Sequence, residues 1–439
     1  MADNGPAGSL RILFVSPVPV YPGVSDAGSL RKLAYLEHFG RRHRIDCIAL
    51  ARGTQAGVFR IREGVSPGDP YLSDWWPAAA GLVTDGVVEN YLVVTLGMTS
   101  AVARVTNALF SSLPMPIATL AREHVGKVVE EFLHSHGYDV VFVEGLHLAL
   151  HVDRWRKAAP RAVFALFDDD VLTVQWRRRA AMCGPPLSWG AAVQLRRAGR
   201  FERRIVSSFD HVFVITGEQK AALLELQPGL RVSVSDHIME HDSAAFEPPP
   251  RSDAPRVVFL GSGGHAPNRD AVKLLVSRIF PLIQQRVPEC GCVIVGPGYP
   301  VGLRTTSGKG IEWAGRVENL QGIFHDRSVL VAPLRLGGGL RGKIVSALRH
   351  GCPVVTTPIG AEGFAAPAGC GMVVAREPRE MADEAIRLLS DPQLRLRLGA
   401  AGVRAVRRRF SKALVAGGLE RRLLELTSRQ SIRDKRSVS

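Results

Sequence analysis

Short apolar runs alternate along this chain with longer stretches in which apolar residues recur every three or four positions. The short runs predict buried strands, and the longer stretches predict amphipathic helices. The alternation continues over 439 residues without an internal repeat. Because a domain holds roughly 100–200 residues, the length predicts two or three domains. The alternation of strands and helices predicts an α/β protein with two doubly wound domains.

The segment of residues 329–364 shows the alternation most clearly. An apolar run at 329–334 predicts a strand, and after a glycine loop the spacing predicts a helix over 341–350, which Gly351 ends. Residues 353–357 predict the next parallel strand, which a second glycine loop follows. The segment is therefore a βαβ unit, and both loops lie at the carboxyl edge of the sheet, where open parallel sheets bind ligands.

The start of the helix over residues 341–350 is a candidate phosphate site. Free N–H groups and the positive end of the helix dipole favour an anion there. Arg341 and Lys343 place two cations in the first turn, against the preference of the dipole. A bound anion would relieve that conflict, so we predict a phosphate at this position. The alternative is that the glycines only permit a tight turn.

The same segment resembles the carboxyl-terminal donor-binding segment of family 4 glycosyltransferases, in the variant with a triple glycine. That variant contains roughly GGG-T-R-L-K-I-L-E-A-M-A-x-G-x-P-V-V-x-T-x-x-G-A-E-G, and this chain shares its glycines, its arginine, its lysine and its Gly-Ala-Glu-Gly end. The resemblance implies the GT-B fold, in which two Rossmann-like domains face each other across a cleft. It also implies a nucleotide-diphosphate sugar as donor and transfer with retention of configuration.

The resemblance also assigns the donor-binding residues, with one departure. Ser346 stands where the family has the glutamate that holds the ribose, and Glu362 is our candidate for a substitute contact. The segment GGHAPNRDAVKLLVSRIFPLI resembles another family motif, and we expect Asp270 to cap its helix. The predicted donor-binding residues are Ser262, Gly263, Asn268, Arg269, Gly338, Gly339, Leu340, Arg341, Lys343, Ser346, Gly360, Ala361 and Glu362.

The amino-terminal half resembles the family more sparsely. Its opening, RILFVSP, leads to Gly28, Ser29 and Arg31, where family members meet donor and acceptor; a solvated Arg31 is the alternative. The strand YDVVFVE precedes His147, and a later strand precedes three consecutive aspartates. The catalytic candidates are His147, Asp169, which stands where the family has a histidine, and Asp170. The alternative for the aspartates is a structural role, in which the arginines at 177–179 pair with them.

Domain boundaries follow from composition and from the resemblance. A Pro-rich stretch marks the linker. We predict an acceptor-side domain over 1–241, a linker over 242–255, a nucleotide-sugar domain over 256–410, a helix crossing back to the first domain over 411–426, and a disordered basic tail over 427–439.

The composition is that of a globular protein with a basic carboxyl end. Apolar residues make up 46% and charged residues 22% of the chain, and the formal net charge is +15. Residues 395–439 hold 13 Lys or Arg against 3 Asp or Glu, which is +10 of that charge. This end predicts an anionic partner, such as an anionic membrane surface or a lipid-linked acceptor. A solvated basic face and a nucleic-acid partner are alternatives, although no nucleic-acid motif accompanies the charge.

Localisation and metal content are inferred from the cysteines and the hydropathy. The six cysteines lie mostly in apolar runs, and the amino terminus lacks a signal-peptide core, so we expect a cytoplasmic protein, with peripheral attachment to the inner face of the membrane left open. Residues 91–110 are the most membrane-like segment and predict a buried or interfacial helix. We expect neither a cofactor nor a metal, and residues 168–170 are the one candidate metal site.

The resulting prediction is a metal-independent glycosyltransferase of the family 4 type. By analogy, the expected acceptor is a growing surface glycan, a lipid-linked sugar or a small molecule. Two alternatives stay open. The substitutions at Ser346 and Asp169 would fit a catalytically degenerate GT-B protein that serves as a binding or scaffold partner. The basic carboxyl end would fit a nucleic-acid-binding protein.

Overall fold

The chain forms two compact units, Met1–Ile238 with Lys412–Ser439, and Met239–Ser411. The predicted linker over 242–255 lies almost wholly outside the described residues. The computed structural model describes residues 8–23, 27–61, 68–97, 111–115, 117, 122–182, 184–235, 238, 254–305, 308–317, 320, 322–337, 340–364 and 368–438.

The first unit is built on an eight-stranded sheet in the order β3-β4-β2-β1-β5-β6-β7-β8. The strands are β1 Arg11–Ser16, β2 Arg44–Ala51, β3 Ala56–Arg60, β4 Asn90–Leu96, β5 Val140–Glu144, β6 Val163–Asp168, β7 His211–Val214 and β8 Val232–Val234. The helices are α1 Ala27–Phe39, α2 Trp76–Thr84, α3 Glu123–Ser135, α4 Val152–Ala158, α5 Leu172–Met182, α6 Leu187–Val206 and α7 Gly217–Leu226.

Strand β1 occupies the centre of this sheet. Its Val15 pairs in parallel register with Ile48 of β2 on one side and with Val143 of β5 on the other, and all three side chains are buried. The chain runs outward from β1 in both directions. Because parallel crossovers are right-handed, opposite directions place helices on opposite faces of the sheet. The predicted α/β, doubly wound arrangement is therefore confirmed in this unit.

The prediction of a helix over residues 91–110 is wrong for its described part. Residues Asn90–Leu96 form strand β4, which pairs in parallel with β2 and antiparallel with β3, and residues 98–110 lie outside the described ones. A short apolar run has no periodicity that separates a strand from a buried helix, so the neighbouring strands decide its conformation. Strand β3 itself was not predicted.

The second unit is built on a six-stranded parallel sheet in the order β11-β10-β9-β12-β13-β14. The strands are β9 Arg256–Leu260, β10 Gly291–Val295, β11 Ile311–Gly315, β12 Ser328–Ala332, β13 Val354–Thr356 and β14 Met372–Val374. The helices are α8 Ala266–Leu274, α9 Phe280–Arg286, α10 Val301–Thr305, α11 Gly342–Arg349, α12 Pro378–Ser390 and α13 Pro392–Phe410. The strand order reverses between β9 and β12, and the crevice outside such a switch point is where open α/β sheets bind ligands.

The last helix, α14 Lys412–Val438, belongs to the first unit, where it packs on α1. Glu420 accepts hydrogen bonds from the rings of His38 and His43, at 2.9 and 3.0 Å. The tail over 427–439 was expected to be disordered, but the helix continues through it to Val438. The stretch after Gly418 contains neither glycine nor proline to end the helix.

The described cysteines and the hydropathy of the described helices bear on the expected localisation. Cys47, Cys290, Cys292, Cys352 and Cys370 are free thiols. No helix within the described residues combines the length and the apolar character needed to span a bilayer.

Candidate active site

The loops at the carboxyl edge of the second sheet come together through glycines. Gly263, in the loop after β9, lies so close to the loop after β10 that a Cβ atom would stand 2.6 Å from backbone atoms of Gly298 and Tyr299. The Tyr299 hydroxyl donates a hydrogen bond to the carbonyl of Gly261, at 2.8 Å. Only a residue without a side chain fits at Gly263, so close packing of the two loops explains why a glycine occupies this position.

Lys343 reaches from the start of α11 to the loop after β9. Its ammonium donates a hydrogen bond to the Asn268 side-chain oxygen, and the Asn268 amide donates to the carbonyl of Ser262 at 2.8 Å. The Lys343 Nζ atom also lies 4.5 Å from the ring centroid of Phe259. The structure therefore brings Ser262, Asn268 and Lys343 together, as the sequence predicted, although they come from two different crossovers.

Burial changes the charge of Lys343. Desolvation, with a smaller contribution from the nearby Arg341, lowers the pKa of Lys343 from 10.5 to about 7. At neutral pH the ammonium is therefore about half protonated, and a phosphate beside it would favour the charged form. The site can gain positive charge when an anion enters.

Arg341 stands at the cap of α11 and faces an acidic residue. Its guanidinium lies 3.6 Å from the carboxylate of Glu362 and 3.4 Å from the carbonyl of Ile359. The side chains of Arg341 and Glu362 are only 12% and 15% exposed, so this pair is little screened by water. Glu362, predicted to contact the ribose, here offsets part of the charge of Arg341.

The loop after β13 is held in place at several points. The Thr357 hydroxyl donates a hydrogen bond to the carbonyl of Leu334. The same hydroxyl accepts a hydrogen bond from the N–H of Gly360, at 3.1 Å. A Cβ atom at Gly360 would collide with the side chain of Thr356. The N–H of Ala361 donates to the carbonyl of Thr357, at 2.9 Å. The glycine at 360 is thus required by the close turn over β13.

Arg409 was not predicted, yet it supports the same loop. Its guanidinium donates to the carbonyl of Gly363, the residue after Glu362, and lies over the rings of Phe364 and Phe410 at 5.7 and 5.0 Å. Arg409 comes from the end of α13, so no local sequence signal connects it to this loop.

Two predicted residues have roles other than those expected. Arg269 donates to the carbonyls of Gly263 and Gly264, at 2.6 and 2.9 Å, and so closes its own loop. Asp270 does not cap the helix, because α8 begins four residues earlier, at Ala266. The Asp270 carboxylate forms an ion pair with Arg335 instead, at 2.5 Å. The prediction that Asp270 caps the helix is therefore wrong.

The remaining donor-site candidates lie on or next to α11. Leu340 is buried just before this helix, and Ser346 is half-buried on it. Gly338 and Gly339 lie outside the described residues.

In the first unit, the acidic and basic candidates meet at the carboxyl edge of the sheet. Arg31 is fully buried, and its guanidinium donates to Glu144 at 2.6 Å and to Asp169 at 3.0 Å. It also lies 4.1 Å from the ring centroid of Phe167. The interpretation of Arg31 as a solvated helix residue is wrong, because its charge is enclosed between two carboxylates.

Asp169 has a partner that lies far from it in the sequence. Arg31 pairs with it across 138 positions of sequence, whereas Arg177 pairs with Glu225 at 3.4 Å. Gly28 and Ser29 lie in the first turn of α1, where the carbonyl of Gly28 accepts from the Lys32 ammonium at 3.3 Å. Tertiary contacts, rather than proximity along the chain, selected these pairs.

The three consecutive aspartates occupy three different environments. Asp168 is buried, and desolvation together with the nearby carboxylate of Glu202 raises its pKa well above the usual value. Asp169 is paired with Arg31, and Asp170 is exposed. The three adjacent carboxyl groups are therefore accommodated differently: burial favours the neutral form of Asp168, a guanidinium lies beside Asp169, and Asp170 reaches solvent.

Glu202 was missed by the sequence analysis. Its buried carboxylate accepts hydrogen bonds from the N–H groups of Leu172 and Thr173, at the start of α5, and desolvation raises its pKa to about 7. These hydrogen bonds fix the backbone just after Asp170. A charged residue in the middle of the amphipathic helix α6, on its apolar side, was the available signal.

His147 is placed by a glycine with a left-handed backbone. Gly145 has φ +90°, and a Cβ atom there would stand 2.7 Å from the His147 ring. Desolvation lowers the pKa of His147, although Asp169 nearby acts in the opposite direction. The lowered pKa favours the neutral imidazole, which can accept a proton. Across the ranges that the structure describes, no group of three or more His, Cys, Asp or Glu side chains is arranged to hold a metal.

Solved structures of similar fold cover nearly the whole chain. A crystal structure of Anabaena Alr3699/HepE in complex with UDP and glucose has a TM-score of 0.60 at 14% identity and covers 94% of this chain and 99% of that chain. A UDP-forming trehalose-phosphate synthase from Burkholderia xenovorans has a TM-score of 0.57 at 12% identity, with 94% and 98% covered. A putative UDP-N-acetylglucosamine 2-epimerase from Listeria monocytogenes has a TM-score of 0.52 at 10% identity, with 93% and 94% covered.

At such identities the likeness concerns the fold, and the three proteins do not share one activity. A comparison with curated proteins gives no match. The family model described as "Glycosyl transferases group 1" matches residues 254–391, which include β9 to α12 and most of the site loops. The chain therefore has the GT-B fold of these structures, and residues 254–391 of its second unit are similar to group 1 glycosyl transferases.

Proposed function

We propose that this protein is a glycosyltransferase that moves a sugar from a nucleotide-diphosphate donor to an acceptor. The observation that carries the proposal is the meeting of Arg341, Lys343 and Asn268 with two glycine loops at the carboxyl edge of the second sheet. This is the edge at which α/β sheets bind nucleotides. The match of residues 254–391 to group 1 glycosyl transferases supports the same conclusion.

The chemistry assigned to this site is stabilisation of the leaving group. Breaking the bond between the sugar and the diphosphate leaves negative charge on a phosphate oxygen. The first N–H groups of α11, the guanidinium of Arg341 and the ammonium of Lys343 would stabilise that charge. We further propose that these groups suffice without a metal, and that the protein is of the family 4, triple-glycine type and retains configuration.

Arg341 then changes partner during binding. In the structure Glu362 lies beside it, and a diphosphate would compete with that carboxylate for the guanidinium. A displaced Glu362 is free to accept hydrogen bonds from the ribose hydroxyls, which Ser346, with a short neutral side chain, holds less strongly. Glu362 would thus supply the contact that the family's glutamate makes.

The first unit is proposed to receive the acceptor. His147, Asp169 and Asp170 are the candidates there, and Arg31 holds Asp169 in a fixed position at 3.0 Å. A neutral imidazole at His147 can take a proton from an acceptor hydroxyl. We propose a glycan, a lipid-linked sugar or a small molecule as acceptor, cell-surface polysaccharide synthesis as the setting, and a cytoplasmic protein at the inner face of the membrane.

A second candidate function rests on the same residues. Asp169 stands at the family's histidine position and is bonded to a fully buried arginine, and Ser346 lacks the charge of the family's glutamate. A protein that binds a nucleotide sugar without transferring it, and acts as a scaffold, would have these features.

The test is a thermal-shift panel of UDP, GDP, ADP and their sugars with the full chain, followed by product analysis on each hit. UDP comes first because similar structures hold UDP or form it. A ligand at one hundred times its Kd stabilises the native state by about 2.7 kcal/mol. A shift with released nucleotide and a new glycoside supports the transferase, and a shift without turnover supports the scaffold. If no nucleotide shifts the transition, both functions are wrong.

A further inference from the structure

Helix α6 has an outward face whose side chains are mostly exposed, although the Arg203 guanidinium also donates to the carbonyl of Leu226 at the end of α7, at 2.9 Å. Its inward side, which includes Ala198, Phe201 and Ile205, is buried in the first unit. The residues half a turn away from these point to solvent, because a helix repeats every 3.6 residues. This outward face changes character along its length, from apolar at the start of the helix to basic towards its end.

The start of α6 carries large apolar side chains in water. Leu187 is 71% exposed, Trp189 is 68% exposed and Val193 is 47% exposed. We call Leu187, Trp189 and Val193 the apolar tip. Trp189 and Val193 lie on the outward face, whereas Leu187, five helical turns before Ile205, is exposed because it stands at the very start of the helix. Single exposed apolar residues are ordinary, but three within the first two turns of one helix make its start a candidate interaction site.

The later turns of the same outward face are basic. Arg196, Arg200, Arg203 and Arg204 are all exposed, and we call these four residues the basic face. The only acidic residue of the helix, Glu202, is buried on the opposite side and bonded to backbone N–H groups. The basic face therefore meets solvent without a compensating carboxylate on its own helix.

The order of these two patches fits the depth profile of an anionic bilayer. Tryptophan and leucine favour the boundary between headgroups and acyl chains, while arginine extends to the phosphates. Val193 and Arg196 are separated by about 4.5 Å along the axis, and Trp189 and Arg204 by about 22 Å, at 1.5 Å per residue. The latter distance exceeds the thickness of one headgroup layer, so the helix would lie obliquely, with its start inserted and its later arginines along the surface.

Other occupants fit this surface less well. A nucleic acid would engage the basic face and the ring of Trp189, but it would leave the aliphatic side chains of Leu187 and Val193 without an apolar partner. A second copy of this chain would bring the basic face against a surface of the same composition, with no acidic counterpart on α6. An anionic lipid surface satisfies both the arginines and the apolar tip.

We propose that the outward face of α6 is a docking site for an anionic phospholipid membrane, with the apolar tip inserted and the basic face on the lipid phosphates. This surface is distinct from the basic carboxyl end, over 395–439, that the charge distribution first suggested. The structure adds the degree of exposure, which separates the buried Ala198, Phe201 and Ile205 from the exposed side chains of the outward face.

The test measures binding of the full chain to vesicles of phosphatidylcholine, with and without phosphatidylglycerol, in the absence of any nucleotide. Three variants are compared with the wild type. The tip variant is Leu187→Ser with Trp189→Ser, and the face variant is Arg196→Gln with Arg200→Gln and Arg204→Gln. The matched control is Leu396→Ser with Leu414→Ser, which removes two leucines that are 64% and 53% exposed in the basic carboxyl end.

We expect the wild type to bind the anionic vesicles and to lose binding as salt rises. The tip variant should bind about tenfold more weakly, and the face variant about fivefold more weakly for each arginine removed. The control should bind like the wild type. If the tip variant fails to fold, tryptophan fluorescence provides a second measurement. The difference in fluorescence between the wild type and Trp189→Phe isolates the signal of Trp189, and brominated lipid should quench that signal.

Several outcomes overturn the proposal. Equal binding to neutral and anionic vesicles does so, as does a control that loses as much binding as the tip variant. A preference for oligonucleotide over vesicles would assign α6 to nucleic acid, and a dimer that the tip variant dissociates would assign it to a second copy. None of these results bears on sugar transfer, so the proposal and the proposed function can fail separately.

Discussion

Replacing Lys343 by methionine is expected to raise the free energy of unfolding at pH 6–7 while it weakens nucleotide binding. Methionine keeps much of the length and apolar character of lysine but carries no charge. Burial lowers the pKa of Lys343 from 10.5 to about 7, which means that the folded protein disfavours the ammonium. The variant removes that penalty.

The magnitude follows from linkage. A folded-state pKa about 3.5 units below the unfolded value costs about 4 kcal/mol at pH 7, at 1.36 kcal/mol for each unit. The penalty is present in full below pH 7, where both states carry the charge. It shrinks between pH 7 and 10.5, where only the unfolded state binds the proton, and it has vanished above that range. Methionine cannot make the hydrogen bond to Asn268, and the loss of that bond reduces the expected stabilisation of the variant by roughly 0.5–3 kcal/mol.

The assay is urea unfolding of the wild type and of Lys343→Met at several pH values between 6 and 9.5. We expect the variant to be more stable at pH 6, and its advantage to decrease by up to about 1.4 kcal/mol for each pH unit above 7. Lys273→Met, at an exposed position on α8, is the control and should show no such trend. A wild type that is more stable than Lys343→Met at pH 6, or a difference that does not change with pH, would refute the assigned burial of the charge.

The same titration makes nucleotide binding depend on pH. A diphosphate beside Lys343 favours its ammonium form, so binding above pH 7 should take up a proton and weaken by up to tenfold for each pH unit. Calorimetry in buffers of different ionisation enthalpy measures that uptake directly. Binding without proton uptake at pH 8 would mean that the ammonium does not contact the phosphates.

Further predictions concern both candidate sites. Arg341→Ala with Lys343→Ala should keep the fold and lose more than a hundredfold in nucleotide-diphosphate affinity, at roughly 1.5–3 kcal/mol for each charged contact; unchanged affinity would remove the site from the second unit. Glu362→Ala should weaken donor binding in calorimetry, whereas Ser346→Glu should be tolerated or should tighten it; the opposite order would exclude Glu362 as the ribose contact. Transfer activity should persist in excess chelator, and a loss that divalent ions reverse would contradict metal independence. Arg31→Met should lower the free energy of unfolding by roughly 3–5 kcal/mol, because the buried Glu144 would lose its hydrogen-bonded cation and keep only Lys32, at 3.9 Å; a variant as stable as the wild type in urea would show that this pair is dispensable.

The sequence by itself predicted those elements whose conformation is determined by residues close to them along the chain. The strand over 329–334 and the helix over 341–350 were predicted to within two residues of the observed Ser328–Ala332 and Gly342–Arg349, because an apolar run and 3.6-residue spacing are properties of short segments. The glycines around the second sheet belong to the same class. Close turns leave no room for a side chain, and that requirement is visible in the sequence itself.

Only the tertiary structure decided the conformation of Asn90–Leu96, the burial of Arg31 and the partner of Lys343. The first depends on whether strand β2 stands beside an apolar run, and the second on two carboxylates more than 100 positions away. The charge of Lys343 depends on how much water the packed loops exclude. Hydrophobic periodicity records which face of a segment is buried, but pairing, desolvation and charge are set by whatever the fold brings to that face from elsewhere in the chain.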